Sequence, residues 1–262
     1  MTVLLLRLAG PLQSWGSAAR FARRSTENAP TKSGVLGLLA AAEGRPRGAD
    51  LSDLAALRFG VRIDQPGSRL RDFQTAHHAD SGKAMPLSER FYLTDAVFVA
   101  AVEGDRGLIM RLDLALTRPY YLPYLGRRSC PPSRPIRMGD PIEDATLEEA
   151  LSSAAWQASP WYVREQDRAA RRTGSRRAPE DLDLMIDCLP SEIPHLQFRD
   201  QPLSFAPEHR QYGLRGVRTE HVPVPSTAAA AAPVPGHDPT AGLRPAPPAA
   251  RTRSAEDPHG NR

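Results

Sequence analysis

Residues 120–135 (YYLPYLGRRSCPPSRP) bring together the side chains best suited to bind a polyanion. Arg127 and Arg128 carry permanent, planar charges that match phosphate oxygens, and Tyr124 offers a ring on which an unpaired base can stack. Ser129 adds a hydroxyl, while four prolines favour a rigid loop without acidic residues. The segment predicts either a contact for single-stranded RNA or an arginine-rich surface loop with tyrosines packed beneath it.

A tryptophan follows the first predicted strand. Residues 2–8 form a short apolar run that ends at a Gly-Pro pair, and Gln13 and Trp15 come soon after it. An aromatic ring at this place is either a lid on the core or a platform for stacking. The sequence alone leaves both interpretations open.

The start of a predicted helix over residues 35–42 carries a basic side chain. Lys32 and Ser33 lie at the start of this helix, where free backbone amides and the helix dipole attract anions. Two glycines at positions 34 and 37 are compatible with a phosphate loop, or with close helix packing alone. The pattern predicts a second anion site.

The charge of the whole chain permits a nucleic-acid partner without requiring one. Its 262 residues include 34 basic and 30 acidic side chains, for a net charge of +4. All basic residues except Lys32 and Lys83 are arginine. Clustering is therefore more informative than number, and the first 32 residues contain five basic side chains against one acidic side chain, Glu27.

The cysteines and the hydropathy indicate a protein of the reducing cytoplasm. Cys130 and Cys188 are far apart, and neither lies at metal-ligand spacing from a histidine or a second cysteine. No apolar stretch approaches the roughly 20 residues of a membrane span. We therefore expect no membrane association, metal or cofactor.

The predicted elements favour an α+β fold. Apart from an inserted hairpin over residues 67–94, the first half of the chain reads strand, helix, strand, strand, helix, which suits a ferredoxin-like sheet. A further helix and two strands are expected later, at residues 147–156, 181–188 and 196–205. The charge-dense residues 164–177 are interpreted as a solvated loop, and the Pro- and Ala-rich residues 223–262 as a disordered tail.

Three motifs together resemble one protein family. They are residues 8–16 (LAGPLQSWG), 30–39 (PTKSGVLGLL) and 124–131 (YLGRRSCP), in this order and at matching distances. On these motifs the chain is similar to the Cas-five family of CRISPR-associated proteins in its type I-E form, the CasD-type subunit of Cascade. Arg71-Asp72 and Arg199-Asp200 extend the similarity to about residue 222.

The resemblance implies a fold and a role. The expected fold is a ferredoxin-like (RRM-related) palm over residues 1–117 with a hairpin thumb at 67–94, then a smaller β-rich part over 118–222. The expected role is to hold the 5′ handle of CRISPR RNA, to contact the backbone and large subunits of Cascade, and to meet target DNA only through the complex. The residues expected to bind RNA are Gln13, Trp15, Arg20, Lys32, Ser33, Arg71, Arg90, Tyr124, Arg127, Arg128 and Ser129.

An enzyme is the main alternative to a binding subunit. Some relatives in systems without a dedicated processing nuclease cut precursor RNA with a tyrosine, a lysine and a histidine. Here His77, His78 and Lys83 fall at the tip of the predicted hairpin, where no rigid surroundings would position them for catalysis. We therefore predict no catalytic residues. A protein-interaction scaffold without direct RNA contact is the third interpretation.

Overall fold

The computed structural model describes residues 1–16, 23–174, 179–206 and 210–225. Within these ranges the strands are β1 (Thr2–Ala9), β2 (Leu12–Gln13), β3 (Arg23–Arg24), β4 (Arg58–Gln65), β5 (Ser68–Gln74), β6 (Ser88–Thr94), β7 (Val97–Gly104), β8 (Ile142–Glu143), β9 (Asp181–Asp187), β10 (Leu196–Ser204) and β11 (Gln211–Pro223). The helices are α1 (Lys32–Ala42), α2 (Ser52–Ala55), α3 (Arg106–Thr117), α4 (Leu147–Ser153) and α5 (Pro160–Thr173).

The described residues form a seven-stranded, antiparallel sheet in the order β10-β11-β9-β4-β7-β1-β8. Strands β1 and β7 are apolar at consecutive positions because both faces of the sheet are covered there. Leu4 and Leu6 join α1 and α3 in the main core, whereas Val3 faces α4 on the other side. The fold is therefore a mixed α+β fold with mostly antiparallel strands.

The hairpin is present where the sequence predicts it. Strands β5 and β6 pair in antiparallel register from Ser68↔Thr94 to Gln74↔Ser88, and His77 bridges Ala84 near the tip. Strand β6 also pairs with β2 and, in parallel, with β3. The hairpin thus belongs to a second, smaller sheet that contains residues from the beginning of the chain.

The C-terminal strands, expected in a smaller part over residues 118–222, belong to the same sheet as β1, β4 and β7. Strand β9 pairs directly with β4, and β11 and β10 continue from it. The expected tail also begins too early, because β11 extends to Pro223 and Val224 is buried with its amide bonded to the Glu180 carbonyl. Strand β11 lacks the usual alternation of apolar and polar residues, because its inward positions include glycine and arginine. Residues 226–262 lie outside the described ranges.

Most of the expected loop at 164–177 is helical. Helix α5 begins after Ser159 with Pro160 in its first turn, and it ends at Gly174 in a left-handed conformation (φ 74°). Tyr162 and Val163 pack against Trp156 in a small cluster. This apolar side is narrow, so the many charges mask the helical pattern. Residues 175–178 lie outside the described ranges.

A buried ionic network joins the C-terminal strands to the start of α1. Arg215 of β11 donates to Asp200 through Nε and Nη2, both at 2.7 Å, and to Asp187 through Nη1 at 2.6 Å. Lys32 donates its backbone amide to Asp200 at 2.8 Å and its Nζ to Asp187 at 2.9 Å. Asp187 also accepts from the Phe59 amide of β4. Two carboxylates of the protein therefore occupy the anion site predicted at this helix start.

Removing Arg215 should strongly destabilise the fold. The change Arg215→Met leaves Asp187 and Asp200 buried with less compensation, and breaking such a pair costs about 3–5 kcal/mol. Arg106→Met is the matched control, because its ion pair with Glu143 is exposed and should contribute no more than about 1 kcal/mol. Urea unfolding followed by tryptophan fluorescence measures both. Equal unfolding free energies would contradict a stabilising network.

Candidate nucleic-acid interface

Residues 120–135 contain no helix or strand, yet backbone hydrogen bonds fix the loop. Leu125 N donates to Cys130 O at 2.7 Å, and Cys130 N donates to Arg127 O at 2.9 Å. Ser14 N donates to Leu125 O at 3.1 Å, which ties the loop to the segment after β1. These backbone hydrogen bonds therefore order the loop and fix the backbone positions of Arg127 and Arg128.

Gly126 allows the loop to approach that segment closely. Its φ is +86°, and a Cβ atom there would lie 1.7 Å from the Ser14 carbonyl oxygen. Only glycine combines this backbone conformation with this contact. Gly126 is therefore required for the close contact between the loop and Ser14.

Arg127 packs against Tyr92 of the hairpin strand β6. Its Cζ lies 4.6 Å from the centre of the Tyr92 ring, and its Nη2 donates to Arg24 O at 2.9 Å. The Nη1 atom of Arg127 is buried and has no hydrogen-bond partner among the described residues. Arg127 therefore connects the loop, β3 and β6, and it keeps unused donor capacity.

Tyr92 and Ser129 belong to the same arrangement. Burial raises the pKa of the Tyr92 phenol, but hydrogen bonding to Ser129 and Arg127 outweighs it and leaves the pKa below its usual value. Cys130 beneath the loop is fully buried, and this burial raises the pKa of its thiol. A thiol of this kind is a packing group rather than a nucleophile.

Four arginines form what we call the arginine cluster: Arg24, Arg90, Arg127 and Arg128. Arg24 is the register partner of Arg90 across β3 and β6, so both lie on the Tyr92 side of the strands. Arg24 and Arg128 are exposed. In the described part of the chain, none of the four forms an ion pair with a carboxylate. The cluster therefore presents uncompensated positive charge on a rigid surface.

Four of the residues expected to bind RNA are buried: Gln13, Trp15, Lys32 and Ser33. Gln13 is fully buried and donates to Leu8 O and Ala96 O, while its Oε1 accepts from Trp15 Nε1 at 3.0 Å. Trp15 is 1% exposed, so it is the core lid and not an open stacking platform. Lys32 forms a buried ion pair with Asp187 at 2.9 Å. These side chains support the interface from below and present no surface to a ligand.

The remaining expected residues divide between the loop and the hairpin. Tyr124 and Ser129 are exposed on the loop, whereas Ser33 lies in the buried first turn of α1. Arg71 is exposed on the hairpin but pairs with Glu89 and stacks on Phe73. Arg20 lies outside the described residues.

Two residues of the candidate interface, Arg24 and Tyr92, were not predicted from the sequence. Arg24 belongs to the basic cluster in the first 32 residues, so its charge was visible, but only its pairing with β6 places it beside Arg90. Tyr92 gave no sequence signal, because its contact with Arg127 joins residues 35 positions apart.

Among the described residues, no group of three or more His, Cys, Asp or Glu side chains could hold a metal ion. Likewise, no helix in these ranges is long and apolar enough to cross a membrane.

The comparison with known proteins defines the class. The family model described as CRISPR-associated protein (Cas5) matches residues 3–218, so the chain belongs to the Cas5 family. It is similar to the CRISPR system Cascade subunit CasD of Escherichia coli (strain K12), with 39% identity over 157 residues, which are 52% of this chain and 70% of CasD.

Solved structures agree with this membership. A crystal structure of a Cas protein has a TM-score of 0.64 at 38% identity and covers 85% of this chain and 95% of its own. A chain of a CRISPR RNA-guided surveillance complex has a TM-score of 0.68 at 32% identity, with 86% and 92% covered.

Replacing Gly126 should loosen the loop. Gly126→Ala adds a clash with the Ser14 carbonyl to the about 1–2 kcal/mol cost of a left-handed alanine. Gly82→Ala is the matched control, since Gly82 has φ +64° with open space around it. We expect faster hydrogen exchange at the Leu125 and Cys130 amides and a larger loss of unfolding free energy for Gly126→Ala. Indistinguishable variants would rule out a tight contact with Ser14.

Proposed function

We propose that this chain is a non-catalytic, RNA-binding structural subunit of a type I-E Cascade complex, which holds the 5′ handle of CRISPR RNA in antiviral defence. The observation that carries the proposal is the arginine cluster, fixed by Gly126 and Tyr92, in a chain of the Cas5 family similar to CasD. CRISPR RNA and the other Cascade subunits are the partners implied by this similarity.

The chemistry of the cluster suits an unpaired RNA end. Exposed guanidinium groups of Arg24 and Arg128 contact phosphates, and the partly exposed ring of Tyr124 stacks on a base. Phosphate contacts set affinity and position, whereas contacts to bases provide selectivity. Gln13, Trp15, Lys32 and Ser33 act in this proposal through the backbone that they support.

The strand order supports the finer interpretation of the fold. Four strands and two helices follow the chain order β1, α1, β4, β7, α3, β8, and the strands lie as β8-β1-β7-β4 in the sheet. This order supports a ferredoxin-like (RRM-related) palm. The hairpin of β5 and β6 lies between the second and third of these strands and is the thumb.

The thumb is a surface for other subunits. Leu70, Phe73, Met85 and Leu87 expose 43–54% of their surface on this hairpin. Exposed apolar side chains grouped on one element are typical of a protein interface. Contact with the backbone and large subunits, a cytoplasmic location, and access to target DNA only within the assembled complex belong to the same proposal.

Handle RNA binding should depend on the exposed arginines of the cluster. Arg24→Gln with Arg128→Gln removes two phosphate contacts, so the slope of log affinity against log salt should flatten by about 1.4, at about 0.7 per phosphate. These positions are preferable to Arg127, whose side chain also packs on Tyr92.

Arg47→Gln with Arg118→Gln is the control, since both side chains are exposed and the net charge falls equally. We expect it to leave the slope unchanged. A flat salt response of the natural chain would instead favour a protein-interaction scaffold without RNA contact. If both double variants flattened the salt slope equally, RNA binding would depend on the net charge of the chain and not on the positions of Arg24 and Arg128.

The purified chain should not cleave repeat RNA. His77, His78 and Lys83 lie on the exposed tip of the hairpin, where the ion pair of His78 with Asp80 is a long contact of 3.9 Å. Without an enclosed site these groups lack the fixed geometry that acid–base catalysis needs. Cleavage by the chain alone, lost in His77→Ala with His78→Ala, would establish an endoribonuclease and sink the proposal.

A further inference from the structure

Helix α5 carries four arginines on one side. Arg164, Arg168, Arg171 and Arg172 are separated by four, three and one residues, which places them along one face at the helical period. All four are exposed. The opposite side contains Tyr162 and Val163, which pack against the small core around Trp156. We call the four residues the α5 arginine stripe.

The stripe is unfavourable for the isolated chain. Arg164 with Arg168, and Arg168 with Arg172, are like-charge pairs at i,i+4, each of which costs about 0.2–0.5 kcal/mol. Glu165 and Asp167 flank the stripe, yet none of its four guanidinium groups forms an ion pair with any residue that the structure describes. Glu165 is three residues from Arg168 and Asp167 four from Arg171, so they offset part of the charge, but four arginines against two carboxylates still leave this part of the helix with a net charge of +2.

The helix dipole accounts for only half of the stripe. Arg171 and Arg172 lie in the last turn, where the dipole stabilises a positive charge. Arg164 and Arg168 lie away from that turn and gain little from it, since the effect falls off within the first and last turns. Their position needs another explanation.

An exposed aromatic ring lies on the same face. Trp161 precedes Arg164 by three residues and Arg168 by seven, and 46% of its surface is exposed. Its ring meets Tyr162 edge-on, with centroids 5.9 Å apart. A half-exposed tryptophan beside unpaired arginines provides a stacking surface and phosphate donors together, as proteins that bind single strands do.

The dimensions fit a short length of nucleic acid. From Arg164 to Arg172 the helix rises about 12 Å at 1.5 Å per residue. At the spacing of about 3.4 Å per nucleotide that one strand has in duplex DNA, this length covers roughly three phosphates, and a more extended single strand places fewer along it. The exposed ring adds room for a base at the N-terminal end of the helix.

We propose that the α5 arginine stripe and Trp161 form a second nucleic-acid contact, which binds the backbone and one unpaired base of a single strand. This contact is distinct in its residues from the arginine cluster and does not depend on it. The chemistry fits either a distal part of the RNA or a displaced DNA strand, because both offer phosphates and accessible bases.

The test uses the full chain with two fluorescent probes, a 20-nucleotide oligo(dT) and a 20-nucleotide oligo(U). Arg164→Gln with Arg168→Gln should weaken binding by about tenfold at 0.1 M salt and flatten the salt slope by about 1.4. Trp161→Ala should weaken binding without changing the slope, because it removes stacking only. A larger loss with oligo(dT) assigns a DNA strand, and a larger loss with oligo(U) assigns RNA.

A control separates this contact from general charge and from folding. Arg47→Gln with Arg118→Gln should leave both probes bound as before. The stripe variant should melt at the same temperature as the natural chain or slightly higher, because like-charge repulsion is relieved. Unchanged affinity and slope for both probes, equal loss in the control, or a lower melting temperature with unchanged binding would overturn the proposal. None of these outcomes alters the handle-binding test of Arg24 and Arg128.

Discussion

The ion network around Arg215 is the interaction on which the rest of the structure depends. It joins β9, β10 and β11 to the first turn of α1 and to β4 through two buried carboxylates. A buried ion pair is useful only when its hydrogen bonds are complete, and here the carboxylates accept from a guanidinium, an ammonium and two backbone amides. The network therefore fixes the position of the C-terminal strands, which among the described strands pair with the rest of the sheet through β4 alone.

The same network explains why the start of α1 is not a phosphate site. An exposed helix N-terminus attracts any anion, but a carboxylate from the same chain is always present at high effective concentration. Asp200 fills that role for the Lys32 amide. Positive charge without a carboxylate partner among the described residues lies instead in the arginine cluster of the loop and hairpin, and along the α5 arginine stripe.

Burial separates the motif around Gln13 and Trp15, which lies in the core, from the motif around Arg127, which lies on the loop. The motif around Gln13 and Trp15 closes the core and positions Ser14, whose backbone amide and carbonyl both meet the loop. The motif around Arg127 then lies on this base and reaches Tyr92. The first motif therefore fixes the position of the arginine pair through residues whose own side chains are buried.

Several parts of the fold could be predicted from the sequence because local patterns determine them. The apolar runs of β1 and β7, the Leu- and Ala-rich α1 and the hairpin of β5 and β6 follow from burial periodicity and turn residues. Helix α5 could have been found from Ser159, Pro160 and Gly174, but its dense charge hid a narrow apolar side. Strand β11 could not, since its inward Arg215 is neutralised only by residues far away in the chain.

The sequence by itself determined which residue types could bind a polyanion: paired arginines on a proline-rich loop, a basic helix start and clustered charges near the beginning. Only the tertiary structure decided which of these charges are free. Lys32 and Arg128 look equivalent in the sequence, yet one is buried against Asp187 and the other is exposed. The reason is physical: a charge is available to a ligand only if no carboxylate from a distant segment has already neutralised it, and that depends on how the strands are ordered in the sheet.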